Sequence, residues 1–230
     1  MNKRIIDLTI TIEEGMQIFA APWHPAVEVK QLGRHGVENR ETRRLVLGTH
    51  TGTHMDAPRH FIEGGSTAEQ MPLETLVGPA TVVDLTWAEE FQEVSLEKLT
   101  DALHGRALKR LILHYGWDAH LGGEEYFTNH AFLSEQACQY LVRNGCRLLA
   151  MDTPQPDNPK NCRGSKNDAP NHKILLGGGV ILVEYLVNLA EITQPVVELV
   201  VAPLKIKGGD GAPARCFAVE SVSGGLNGSM

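Results

Sequence analysis

Residues 48–61 have the sequence GTHTGTHMDAPRHF, and the interpretation of the whole chain starts from this stretch. Three histidines (His50, His54, His60) and one carboxylate (Asp56) fall within eleven positions. Glycine and threonine separate them, which favours a loop over a helix. Imidazole and carboxylate are the ligands that zinc and similar divalent ions prefer. The stretch therefore predicts a metal site, and a metal-dependent hydrolase is the leading hypothesis.

The chain on either side of this motif alternates between strand and helix patterns. Ile6, Leu8, Ile10 and Ile12 share one face of a predicted first strand. Further strands are predicted over 27–32, 42–47, 80–86, 108–114, 148–151, 180–186, 196–202 and 216–222. Helices are predicted over 95–104 and 134–144, with Ser95 and Ser134 as N-caps, and a short segment over 172–176. The alternation predicts one α/β domain with a mixed sheet over residues 1–230.

Composition and charge exclude several classes of protein. Asp and Glu total 28 against 21 Lys and Arg, and this net charge of −7 without a basic stripe argues against nucleic-acid binding. No apolar run approaches the roughly 20 residues of a membrane span. The start, MNKRIIDLTITIEEG, alternates like a strand and does not resemble a signal peptide. The cysteines (Cys138, Cys146, Cys162, Cys216) form no CxxC pair, so free thiols in a reducing cytoplasm are expected.

A second candidate cluster consists of His172 and Glu184. Glu184 lies within VILVEYLV, an otherwise apolar run, and a carboxylate buried there needs a partner. From the pattern alone, a metal ligand and an ordinary glutamate at a sheet edge or beside a lysine remain equally open.

HTGTHMDAPRHF at 50–61 resembles the signature of the cyclase family, which includes the bacterial kynurenine formamidases and isatin hydrolases. Further matching blocks follow in the expected order: IIDLTITIEEGM (5–16), LVGPATVVDLT (76–86), MDTPQPD (151–157), NHKILL (171–176) and VVAPLKIKGGDGAPARC (200–216). The resemblance implies a fold of the swivelling β/β/α kind and a homodimer or larger homo-oligomer.

Carried over position by position, the resemblance implies a site for two divalent ions, with Zn²⁺ preferred and Mn²⁺ as the alternative. The first ion takes His50, His54 and Asp56, and the second takes Asp56, His172 and Glu184. In this scheme His60 is the general acid/base and not a permanent ligand.

The resemblance also bears on the substrate, a small and aromatic molecule. Formamidases carry a tryptophan in a VWPG-like stretch near the start, and this chain has Phe19 at about that place and Trp23 four residues later. Both are predicted to contact the substrate. Gln155 replaces the serine usual after the DTP triplet. Glu184 matches the formamidase pattern, whereas isatin hydrolases carry an amide there.

Two other aromatic features of the sequence are candidates for the same pocket. Trp87 and Trp117 are candidates for its wall, although core packing is the favoured interpretation for each of them alone. The stretch His114–His120 (HYGWDAH) follows a predicted strand and could line the pocket, but a solvated loop is favoured.

The predicted reaction is hydrolysis of a small amide, as in the conversion of N-formylkynurenine to kynurenine and formate. A divalent ion lowers the pKa of bound water from 15.7 to about 7 and so supplies hydroxide to attack the carbonyl carbon. Opening of a cyclic amide or lactone, a cyclisation and a dehydration remain alternatives on the same site. A non-catalytic metal- or ligand-binding protein is the alternative of another class, but a structural zinc site is closed by four ligands, often cysteines.

Overall fold

The structure is a computed structural model that describes residues 2–161 and 165–222. The strands in these ranges are β1 (Asn2–Asp7), β2 (Glu28–Gly33), β3 (Thr42–Val46), β4 (His54–Asp56), β5 (Val77–Asp84), β6 (Glu93–Val94), β7 (Arg110–His114), β8 (Phe132–Leu133), β9 (Leu148–Met151), β10 (Ile181–Glu184), β11 (Val196–Pro203) and β12 (Gly211–Val222). The α-helices are α1 (Leu73–Leu76), α2 (Leu96–Leu103), α3 (Glu125–Thr128), α4 (Glu135–Arg143) and α5 (Pro170–Gly177). Cys162 lies outside the described residues.

The main sheet has eight strands in the order β1-β12-β11-β5-β7-β9-β10-β4. Because β4 also pairs with β12, seven of these strands close into a barrel-like ring. The segment β5-β7-β9-β10 is parallel and the other pairings are antiparallel. The prediction of a mixed α/β sheet is therefore confirmed. Two further sheets are the hairpin β2-β3 and the pair β6-β8.

Strands β7, β9 and β10 are buried on both faces, as parallel strands between two apolar layers must be. In β10, Leu182 packs with the helices α2, α4 and α5 in one core cluster, whereas Ile181 and Val183 belong to a second cluster inside the ring. Glu184 shares the face of Leu182, since side chains alternate along a strand. The sheet therefore directs Glu184 towards the helices.

The two serines predicted to cap the N-termini of helices are confirmed as N-caps. The Ser95 side chain accepts a hydrogen bond from the backbone N–H of Lys98, and Ser134 accepts one from that of Ala137. Each serine satisfies an N–H that has no partner within the helix.

The first strand is shorter than predicted, because it ends at Asp7 and does not reach Ile12. The backbone N–H of Leu8 still donates to Cys216 O. At the next position, the hydroxyl of Thr9 donates to Cys216 O and accepts from Cys216 N. The side chain of Thr9 replaces its backbone in the pairing, so the ladder stops there. Among the described residues, no helix has the length and apolar character needed to cross a membrane.

Candidate metal centre

The middle of the histidine motif is a short strand, which corrects the prediction of a loop at that point. His54–Asp56 forms β4, held between β10 and β12. His54 and Asp56 are two residues apart and therefore share a face. The antiparallel register places Glu184 directly opposite His54. Sheet pairing thus brings Glu184 beside two side chains that are distant from it in sequence.

The imidazole of His54 is oriented by the backbone. Its Nδ1 lies 2.8 Å from Gly52 O, and a carbonyl oxygen can only accept, so Nδ1 carries the proton. Gly52 has a φ of +59°, which allows the tight turn that presents this carbonyl. Nε2 consequently faces Asp56 Oδ1 at 3.1 Å and Glu184 Oε2 at 3.4 Å.

His172 reaches the same place from helix α5, which replaces the short segment predicted over 172–176. Its Nδ1 lies 2.5 Å from Asp157 Oδ2, and Asp157 also accepts the backbone N–H groups of Asn171 and His172. Asp157 therefore anchors both the first turn of α5 and the imidazole. The Nε2 of His172 then faces Asp56 Oδ2 at 3.5 Å and Glu184 Oε1 at 3.3 Å.

We call His54, Asp56, His172 and Glu184 the inner cluster. All four are buried, yet His54 Nε2, Asp56 Oδ2 and Glu184 Oε1 have no hydrogen-bond partner. Burial raises the pKa of Glu184, and the neighbouring Asp56 carboxylate raises it further. Within residues 2–161 and 165–222, no lysine or arginine pairs with either carboxylate. Imidazole and carboxylate atoms left in this way fit a divalent cation, because buried charges without a partner are costly.

A more exposed group adjoins the inner cluster on the pocket side. His50 Nδ1 lies 2.7 Å from Asp56 Oδ1, and His50 Nε2 lies 2.9 Å from Asp210 Oδ2. Burial lowers the pKa of His50, but Asp56 and Asp210 more than offset this and raise it to about 10. The same Asp210 oxygen lies 3.4 Å from His60 Nδ1. We call His60 and Asp210 the outer pair.

Glycine is required where the first residue of β12 passes His50. A Cβ atom on Gly211 would lie 2.7 Å from His50 Cε1 and 2.7 Å from Met55 O. Only a residue without a side chain allows this approach.

The imidazole nitrogens and carboxylate oxygens of the site form two groups that could each hold a metal ion, and Asp56 belongs to both. One contains His50, Asp56 and His60, and the other contains His54, Asp56 and Glu184. The division differs from the one implied by the family resemblance, in which His54 joins His50 and His60 is not a ligand. His172 is not in either group, although its Nε2 faces both carboxylates.

A pocket of about 300 Å³ opens over these residues. Phe19 and Trp23, the two aromatic residues expected from the sequence, both line it. Phe19 packs edge-on against Phe127, with ring centroids 6.0 Å apart. Gln155 and Asp168 contribute polar groups to the wall.

The other aromatic candidates lie elsewhere. Trp117 is buried in the core, and its indole N–H donates to Tyr126 O. Trp87 is 43% exposed and borders a separate cleft, where Lys98 Nζ lies 4.8 Å from its ring centre. Neither lines the pocket over the inner cluster: the favoured core role is confirmed for Trp117, whereas Trp87 belongs neither to the core nor to the pocket wall. The HYGWDAH stretch does not line it either.

Sequence reasoning missed three residues of this region: Asp157, Asp210 and His24. Asp157 and Asp210 lie in the blocks MDTPQPD and VVAPLKIKGGDGAPARC, and the resemblance of these blocks to the family was the available signal. His24 lines the pocket, and its ring lies 6.1 Å from that of His50. Burial and the nearby histidines lower the pKa of His24.

Comparison with known proteins identifies the family to which the chain belongs. A sequence model of the family described as "Putative cyclase" matches residues 6–158. The kynurenine formamidase of Salinibacter ruber (strain DSM 13855 / M31) is 33% identical over 172 residues, covering 74% of this chain and 76% of that protein. The chain belongs to the cyclase family.

Solved structures show the same fold. A potential metal-dependent hydrolase with cyclase activity has a TM-score of 0.76 and 28% identity, and the match covers 96% of this chain and 100% of that one. Isatin hydrolase A from Ralstonia solanacearum has a TM-score of 0.85 at 22% identity, and the match covers 95% of this chain and 92% of the other. At this identity, the similarity shows only that the two proteins share a fold. The predicted family, fold class and enzyme class, a metal-dependent amidohydrolase, are confirmed.

Proposed function

We propose that this cyclase-family enzyme hydrolyses a small aromatic amide of the N-formylkynurenine type. The observation that carries the proposal is the inner cluster, in which a single-tautomer imidazole (His54 Nε2) faces two buried carboxylates without a hydrogen bond. The kynurenine formamidase relatives support the formamide as substrate.

We assign the metal-holding role to His50, His54, Asp56, His172 and Glu184, with Zn²⁺ as the preferred ion and Mn²⁺ as the alternative. Two ions fit the five side chains if Asp56 is shared, which agrees with its place in both ligand groups. Bound divalent ions would supply a water with a pKa near 7 and polarise the substrate carbonyl.

The other pocket residues hold the substrate and move protons. Phe19 and Trp23 provide an apolar wall against which an aromatic ring stacks. His60, 23% exposed at the mouth of the inner cluster, accepts a proton from the attacking water and returns it to the leaving amine. Phe61 packs against His60 with ring centroids 4.5 Å apart and limits the access of bulk water to that side.

A second candidate is the opening of a cyclic amide or lactone on the same site. Gln155 favours it, because an amide lines the pocket at the position where the formamidase pattern has a serine. A side-chain amide offers both a donor and an acceptor to a ring amide.

We further propose that the single domain spans residues 1–230, acts in the cytoplasm and forms a homodimer or larger homo-oligomer. The three described cysteines are buried and free, which suits a reducing compartment. The hairpin β2-β3 exposes Leu32 and Leu45, and an isolated two-stranded hairpin is marginally stable without a packing partner. Light scattering coupled to size-exclusion chromatography tests the assembly, and a monomer would contradict it.

Steady-state hydrolysis of N-formylkynurenine by zinc-loaded and manganese-loaded protein, with chelated protein as the control, tests the reaction. We expect metal-dependent turnover with kcat/KM of about 10⁴ M⁻¹s⁻¹ or higher. Isatin and an aromatic lactone are assayed in parallel. Turnover of these rings without turnover of the formamide would replace the first candidate by the second. A metal-loaded protein that hydrolyses none of the three would contradict both.

A further inference from the structure

The outer pair combines a histidine with a carboxylate that sequence reasoning did not single out. Asp210 Oδ2 lies 3.4 Å from His60 Nδ1 and 2.9 Å from His50 Nε2. The two imidazole rings are 3.9 Å apart with an interplanar angle of 30°, so they lie side by side over one oxygen atom. A carboxylate oxygen has two lone pairs and can accept from both rings.

The backbone of the Asp210 loop is attached to the histidine motif itself. Ala57 N donates to Asp210 O at 2.9 Å, and Ala68 N donates to Gly209 O at 2.8 Å. Residues 209 and 210 are therefore held against the segments on either side of His60 by main-chain bonds. The backbone position of Asp210 therefore does not depend on the ion pairs that its side chain makes.

We propose that Asp210 is a positioning residue that fixes the tautomer and the ring orientation of His60. Since a carboxylate only accepts hydrogen bonds, it selects the form of His60 with hydrogen on Nδ1. Nε2 is then left with its lone pair for the pocket. This extends the proposed function, in which His60 moves the proton.

A carboxylate behind a catalytic imidazole acts in this way in other hydrolases, where it holds the tautomer without itself taking the proton. Asp210 is 40% exposed, so its contribution is expected to be smaller than that of a fully buried partner. Without it, His60 can rotate or adopt the other tautomer, and a fraction of the enzyme has the wrong nitrogen in the pocket.

The first test reads the tautomer directly and needs no substrate. Two-bond ¹H–¹⁵N spectra of zinc-loaded protein are recorded about two units above the ordinary histidine pKa, with His60→Gln used to assign the His60 signals. We expect the Nδ1–H form in the wild type and a shift towards the Nε2–H form in Asp210→Asn. The Nε2–H form in the wild type, or identical spectra in the two proteins, would overturn the proposal.

The second test is a double-mutant cycle on kcat. Asp210→Asn is expected to lower kcat about 10–100-fold with KM and metal content nearly unchanged. In a His60→Ala background the same substitution should change kcat less than about threefold, because residues that act as a unit are not additive. Equal effects in both backgrounds, or loss of metal with activity, would show that Asp210 acts through His50 or the metal instead.

Glu69→Gln is the matched control for both tests. Glu69→Gln makes the same carboxylate-to-amide change in a side chain that contacts the Asp210 loop, because Glu69 Oε1 accepts from Gly208 N. Among the hydrogen bonds and ion pairs of the described residues, none joins Glu69 to His60. We expect wild-type spectra and kcat from this variant. A tautomer shift in Asp210→Asn but not in Glu69→Gln supports the inference even if no tested amide is a substrate, so the two proposals can fail separately.

Discussion

The inner cluster and the outer pair are neighbours, but they differ in burial and in whether their polar atoms have partners within the protein. The four inner side chains are buried, and three of their polar atoms lack a hydrogen-bond partner. His60 and Asp210 are 23% and 40% exposed, and each has a partner in the other. The inner side chains are incomplete without a cation, whereas the outer pair is complete in the protein alone.

Under the proposed function, the inner cluster binds the metal and the outer pair transfers the proton. Burial makes unpaired carboxylates costly and so makes the inner cluster selective for a positive charge. Partial exposure leaves His60 free to exchange protons with a substrate or with water. Substitutions in the two regions should therefore separate loss of metal from loss of turnover.

The largest effect is expected from Asp56→Asn. Asp56 belongs to both possible ligand groups, and an amide removes the charge that both require. We expect metal affinity to fall by more than about 100-fold and activity to fall with it. Loss of a residue that only hydrogen-bonds to a metal ligand already lowers metal affinity about 10–100-fold, and loss of a ligand should cost more. Elemental analysis and kcat on the same preparation check this. An Asp56→Asn protein that keeps two ions would contradict the shared-ligand assignment.

His60→Ala should give the complementary result. We expect kcat to fall about 10²–10⁴-fold, the usual contribution of a general acid/base, while the metal content stays at the wild-type level. Metal content and kcat are measured together, with His24→Ala as a control that also removes a histidine from the pocket wall. If the ion is lost from His60→Ala and not from His24→Ala, His60 is a ligand and the division into two regions fails.

Asp157→Asn tests the support behind the inner cluster. Asp157 holds His172 Nδ1 at 2.5 Å and anchors the start of α5. We expect metal affinity to fall about 10–100-fold, because the partner on the far side of a ligating histidine sets its orientation and basicity. Competition with a chelator measures the affinity. Asp101→Asn, on α2, is the control, and an equal loss in both variants would rule out a specific role for Asp157.

The smallest effect concerns stability and not the site. His130 is buried with an unpartnered Nε2, and burial lowers its pKa to about 4 from an ordinary 6.5. The folded protein then holds this histidine neutral while the unfolded chain protonates it, so stability falls as pH drops from about 6.5 towards 4. By pH 5.5 the loss should be about 1 kcal/mol.

Urea unfolding of wild type and His130→Asn between about pH 7.5 and 5.5 measures the contribution of His130 to the pH dependence of the free energy of unfolding. Burial raises the pKa of Asp152 to about 7, so Asp152 acts in the opposite direction over the same range. The comparison between the two proteins, which share Asp152, therefore isolates His130. Parallel stability curves would contradict the expectation.

Much of the site could be predicted because ligand chemistry is local. His50, His54, Asp56 and His60 stand together in the sequence, and few other functions need that combination. Asp157 and Asp210 could not be ranked in this way, because an aspartate in a loop is ordinary until the histidine that it contacts is known. The positions of Trp87 and Trp117 could not be predicted either, since an aromatic residue packs equally well in a core and in a pocket wall.

The sequence by itself determined the alternation of strands and helices, the serine caps and the concentration of candidate metal ligands at residues 50–60. These depend on residue type and on short-range periodicity. Only the tertiary structure decided that His54 opposes Glu184 across two strands, that α5 delivers His172, and that Asp210 stands behind His60. Strand register and loop docking join residues more than 100 positions apart, and such pairings depend on the packing of the whole sheet rather than on any one segment.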